Sequence, residues 1–95
     1  NAFLHTSNNK SMANKRFLKK ALNYMIEEIV NDCFTAQSYD PSTEEATDAI
    51  IAQAMALKTK ATSKMRAAKN KQEMTAVVEE IKTASEKLFE KMENL

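Results

Sequence analysis

None of the 95 residues is glycine, and only Pro41 is proline. Sharp turns and strand hairpins use glycine for positive φ, and phosphate-cradling loops use it for close backbone approach. A chain without glycine has few ways to reverse direction tightly, and a bundle of helices is the architecture that misses it least. That absence also removes any phosphate cradle built from bare backbone.

At this length the chain is one domain with a single modest core, and the fraction of surface it buries is small enough to leave stability marginal. Fourteen Lys and Arg stand against thirteen Asp and Glu, a formal net charge of +1. Only the placement of charge is therefore informative about partners. The single cysteine, Cys33, excludes an intrachain disulfide, and no Cys or His pair has zinc-ligand spacing. A reducing, cytoplasmic setting without metal or cofactor is the expectation. No apolar run approaches the ~18 to 20 residues that span a bilayer, nor is there a leader-type apolar segment, so a soluble, unexported protein is expected.

Residues 1–11 carry three Asn, two Ser, a Thr and the only histidine, His5. They read as a disordered arm or as an expression remnant ahead of a natural start at Met12. Beyond it, Leu18, Leu22, Met25, Ile26, Ile29 and Cys33 fall on one arc about 100° wide at helical spacing, which predicts a helix over 13–38. Tyr39-Asp40-Pro41 interrupts it, because proline lacks an amide donor and restricts its predecessor. Ser42 and Glu45 have the spacing of a capping box, and a second helix over 43–69 follows. Its apolar line is Ala46, Ile50, Ala54, Leu57, Ala61, Met65 and Ala68, small enough for close helix approach. Asn70 and Glu73 offer a further cap, opening a third helix over 71–94 with Met74, Val77, Ile81, Ala84, Leu88, Met92 and Leu95 at near-heptad spacing. Short connections favour antiparallel neighbours. The expected fold is all-α, an antiparallel up-down-up three-helix bundle over 12–95, with one alternative: the last two helices run together and bury their seams in a dimer.

Charge is arranged in blocks. Residues 1–20 hold five bases (Lys10, Lys15, Arg16, Lys19, Lys20) and no acid, 21–48 hold seven acids and no base, and 49–72 hold six bases and no acid. In an up-down-up bundle the two basic blocks share a pole, and the opposite pole is acidic. The second helix follows its macrodipole, whereas the first opposes it at a cost of about a few tenths of a kcal/mol per charge. A basic pole that meets an anionic partner accounts for that opposition. Its candidate anion-binding residues are Lys15, Arg16, Lys19, Lys20, Lys58, Lys64, Arg66, Lys69 and Lys71, with Phe17 the one stacking group among them. The competing explanation is an ordinary solvated surface.

The first helix also carries apolar residues beyond its core arc: Phe17, Ala21 and Tyr24 on one flank, Val30 and Phe34 on the other. In one reading Phe34 and Tyr39 cap the bundle end and Tyr24 covers the core with its hydroxyl in water. In the other, Phe17, Ala21 and Tyr24 with the strip from Lys20 to Glu28 form a surface for a second copy or a partner helix. Five of the six methionines lie on or beside the core lines, as packing residues do. No catalytic group emerges: Cys33 sits on the core arc, and His5, the one imidazole available as a base, lies in the arm. The adjacent carboxylates Glu27-Glu28, Glu44-Glu45 and Glu79-Glu80 point about 100° apart on a helix and form no chelate.

The run Met12-Ala13-Asn14-Lys15-Arg16-Phe17-Leu18-Lys19-Lys20, then Tyr24 and an acidic second half of the helix, resembles the opening of small helical proteins of Bacteroidetes bacteria. The resemblance spans about twenty residues from Met12 and implies a small all-α cytoplasmic protein, with no catalytic or binding residue to carry over. The functional expectation is a non-enzymatic protein–protein interaction module, weakly homodimeric through the first helix. A nucleic-acid-binding protein using the basic pole is the alternative.

Overall fold

The computed structural model describes residues 15–95. The arm expected over 1–11, the start at Met12 and the opening of the helix expected from residue 13 lie outside them. Helix α1 covers Lys15–Tyr39, α2 covers Glu44–Ala67 and α3 covers Lys71–Glu93, with a 3-10 turn at Pro41–Thr43 between the first two. No strand occurs among the described residues. Bonds between helices fix the topology. Lys15 Nζ at the start of α1 donates to the Ala68 carbonyl past the end of α2 (2.8 Å), and Gln37 at the other end of α1 donates to Thr47 (2.6 Å). Lys64 reaches Glu80 (2.7 Å), and Lys91 donates to Gln53 (2.8 Å), setting α3 antiparallel to α2. The molecule is the expected up-down-up bundle, 45 × 21 × 18 Å.

Every member of the predicted α1 arc is buried, and Leu22, Ile29 and Cys33 are wholly so. The α2 and α3 lines also hold, through Ile50, Ala54, Ala61 and Met65 on one and Met74, Val77, Ile81 and Leu88 on the other. The most extensive packing is between α1 and α2, and Ala54 and Ala61 on the buried face of α2 present a single methyl group each. Two residues depart from expectation at the start of α2: Ala46 is exposed, and Thr47 is buried in its place. Thr47 tolerates burial because its hydroxyl donates back to the Thr43 carbonyl (2.8 Å) and accepts from Gln37. Ser85 is buried in α3 on the same terms, donating to the Lys82 carbonyl (3.0 Å). Leu95, expected to close the α3 seam, lies beyond the helix and is exposed.

The joints differ in how far they match the sequence patterns. The Ser42–Glu45 box does not form. Pro41, whose ring pre-sets φ, begins a 3-10 turn immediately after Asp40, and capping moves upstream to Asp40. The Asp40 carboxylate accepts from the Ser42 amide (3.1 Å) and hydroxyl (2.6 Å), which holds its pKa below the ordinary value. Thr43 then enters α2 without a side-chain cap.

The Asn70–Glu73 cap does form, and α2 and α3 are separate helices. Asn70 accepts from the Glu73 amide (2.8 Å), while the Glu73 carboxylate accepts from the Lys69 amide (2.9 Å), one residue upstream of the usual reciprocal donor. Replacing Asn70 with Ala orphans the Glu73 amide and is expected to cost about 1 kcal/mol. Urea unfolding of the variant beside Asn70→Asp, which keeps an acceptor, checks the assignment: only the Ala variant should lose stability by that amount.

Candidate interaction surfaces

Four of the six exposed large apolar side chains among the described residues belong to α1: Phe17 (48% exposed), Tyr24 (60%), Phe34 (53%) and Tyr39 (87%). Ala21 does not share that surface. It is buried at 4%, so the candidate patch reduces to Phe17 and Tyr24 above it. The cause is geometric: Ala21 lies on the edge of the core arc and is short enough to be covered by the bundle, whereas its flank-mates project outward. The alternative in which Phe34 and Tyr39 close the bundle end does not hold either, since both stand mostly in water. Val30, beside Phe34, packs partly against the core with Ile51. Met55 on α2 is a further exposed apolar residue that its helical period alone does not single out.

Along the Phe17 flank, Phe17, Lys20, Tyr24, Glu28 and Asn31 follow one another in steps of three and four and are all exposed. Such spacing makes a continuous stripe. The stripe is basic at its N-terminal end, aromatic in the middle and acidic beyond, with no acid in the first turn of α1 and no base in its last.

The topology gathers the start of α1, the end of α2 and the start of α3 at one end, as the charge blocks require. The bases there are not equivalent. Lys15 is bonded to the Ala68 carbonyl, and Lys64 is paired with both Glu80 oxygens (2.7 and 2.8 Å), with Lys60 at 3.6 Å from the same carboxylate. Arg16, Lys20, Arg66, Lys69 and Lys71 are exposed, with no ion pair among the described residues, and Lys19 is half-buried. Lys58 lies about 14 Å along α2 from that end at 1.5 Å per residue, outside the cluster.

The Lys64 hydrogen bonds hold the Glu80 carboxyl below its ordinary value of 4.5. A depressed folded value stabilises the protein above the unfolded pKa, and that contribution disappears as pH falls through the folded value. Stability should therefore decline with acid below about pH 4.5, and Glu80→Gln should reduce that decline, with the Asp40 carboxylate contributing the same sense of change. Thermal unfolding at a series of acid pH values reads the difference.

Cys33 has no exposed surface, and burial, then Asp32 and Asp48, pushes its thiol pKa up. It remains a neutral, shielded thiol at physiological pH, the opposite of a nucleophile's environment. Among the described residues no group of three His, Cys, Asp or Glu side chains is placed to hold a metal ion. The surface depressions are shallow and open to solvent, one between α2 and α3 floored by Ala68 and Val77 beside the Lys64–Glu80 pair. No helix among the described residues is long and apolar enough to cross a membrane. Fold and surface together define a small helical bundle with a polarised, aromatic first helix. No protein-family model, curated protein or solved structure matches the chain.

Proposed function

We propose that this protein is a non-enzymatic interaction module that self-associates weakly through α1. The observation that carries the reading is the division of labour on that helix. Its core arc is fully buried, yet Phe17 and Tyr24 remain about half exposed on a separate stripe. Aromatic side chains offer large contact area at low entropic cost, and a protein gains nothing for its own core by holding them in water. A free thiol sealed in the core accords with a reducing, cytoplasmic setting. Sedimentation equilibrium tests the proposal. The mass should rise toward that of a dimer with concentration, and a Phe17→Ser/Tyr24→Ser variant should stay monomeric with unchanged helicity. A wild-type monomer throughout, or association indifferent to the double variant, overturns it.

A second reading rests on the exposed bases Arg16, Lys20, Arg66, Lys69 and Lys71 at one end, which suit a nucleic-acid backbone. Engagement of Lys15 and Lys64 within the bundle and the presence of one neighbouring aromatic, Phe17, weaken it. Titration with a short mixed-sequence RNA at two salt concentrations decides: binding that collapses as salt rises supports it, and no binding at low salt removes it.

A further inference from the structure

The order of charges on the α1 stripe specifies how two copies would meet. Lys20 and Glu28 are each four residues from Tyr24, and Arg16 and Asp32 are each eight residues from it. The pattern is thus charge-antisymmetric about Tyr24 at its exposed positions: Lys20 mirrors Glu28 and Arg16 mirrors Asp32, while Lys15 and the half-buried Lys19 mirror the buried Cys33 and Ile29. Arg16, Lys20, Tyr24, Glu28 and Asp32 are all exposed, so none of these charges is consumed by the core. Glu27 adds a further acid beside Glu28 and is exposed as well.

A two-fold symmetric contact uses the same patch on both copies, so whatever lies on one side of the axis must complement what lies on the other. A parallel α1 pair sets Lys20 against Lys20 and Glu28 against Glu28, which repels. An antiparallel pair with its axis at Tyr24 sets Lys20 beside Glu27 and Glu28, brings Arg16 level with Asp32 on opposite edges of the contact, and stacks the two Tyr24 rings at the centre. The macrodipoles of the paired helices are then antiparallel too, and the acidic half of one helix lies along the basic half of the other. The same pairing accounts for the reversed charge order of α1, which works against that helix in isolation.

We infer that the occupant of the α1 stripe is a second copy of this chain, packed antiparallel with its two-fold axis at Tyr24. This inference rests on the interaction reading above and adds partner, direction and register. Basic and acidic ends of the bundle alternate across such a dimer, so each copy offsets the other's polarity. Electrostatics supplies the register and the aromatics supply the contact area.

Charge exchange on the full chain tests it. Lys20→Glu alone, or Glu27→Lys/Glu28→Lys alone, places like charges at both symmetry-related contacts and should weaken the dimer about tenfold at low salt. A 1:1 mixture of the two variants restores opposite charges at both contacts and should regain wild-type association as a heterodimer. Orientation is read independently from nitroxide pairs. Labels at Asn31→Cys and Thr35→Cys are separated along the axis by about 21 Å and about 33 Å in the antiparallel pair, at 1.5 Å per residue. A parallel pair gives one distance at both positions. Buried Cys33 stays unlabelled, as the wild type verifies. A dimer that depends on Phe17 and Tyr24 but shows no rescue on mixing, or equal label distances, overturns the antiparallel register and leaves the interaction reading standing. A wild-type chain that never dimerises overturns both.

Discussion

Leu22→Ala is expected to destabilise the bundle by about 3 kcal/mol, within the range for truncating a fully buried leucine. Leu22 has no exposed surface and sits midway along the α1 core arc, between Leu18 and Met25. The loss combines the transfer free energy of the deleted carbons with the cavity they leave. In a domain this small, whose total stability is on the order of 5 to 10 kcal/mol, that is a large share. The melting temperature should fall by roughly 12 to 24 °C. Tyr24→Ala supplies the contrast. On the same helix but 60% exposed, it should leave the monomer's midpoint nearly unchanged. A comparable loss from both substitutions would mean that Tyr24 belongs to the core and not to a surface.

Ala54→Leu should also destabilise, by about 2 kcal/mol, although it adds apolar area and leaves helix propensity nearly untouched. Ala54 has no exposed surface and lies within the core cluster on the buried face of α2. The extra carbons have no void to enter, so they force the helices apart or push side chains off their rotamers. Ala46→Leu, at an exposed position on the same helix, is the control and should be near neutral. A lowered urea midpoint with an unchanged slope is the expected result for Ala54→Leu.

The helices and most of the core were legible in the sequence because both follow from a single repeating pattern. The Asn70–Glu73 cap and the Pro41 interruption were legible as well, being local chemistry. Most of what escaped detection depends on information from elsewhere in the molecule. Thr47 is in phase with Ile50 and Ala54 and so faces inward, its hydroxyl met by the Thr43 carbonyl and by Gln37 from the end of α1, while Ala46, one residue earlier, faces outward. Asp40 displaces Ser42 as the cap because the chain turns tightly at Pro41. Ala21 looked like its neighbours Phe17 and Tyr24, and only the position of the surrounding helices separates it from them. The basic end was visible as blocks of charge, but the engagement of Lys15 with a carbonyl and of Lys64 with Glu80 required the joints to be in place.

The described backbone contains no positive φ and no cis peptide bond, even at the two joints. No described position therefore demands the conformational freedom of one particular amino acid. What the fold requires is a rhythm of apolar and polar residues, a few small side chains on the buried face of α2, and a side-chain acceptor ahead of α3. Many sequences meet those terms. The joints are accordingly the natural places to accept inserted residues, and descendants of this chain are free to diverge widely in identity while preserving the same shape.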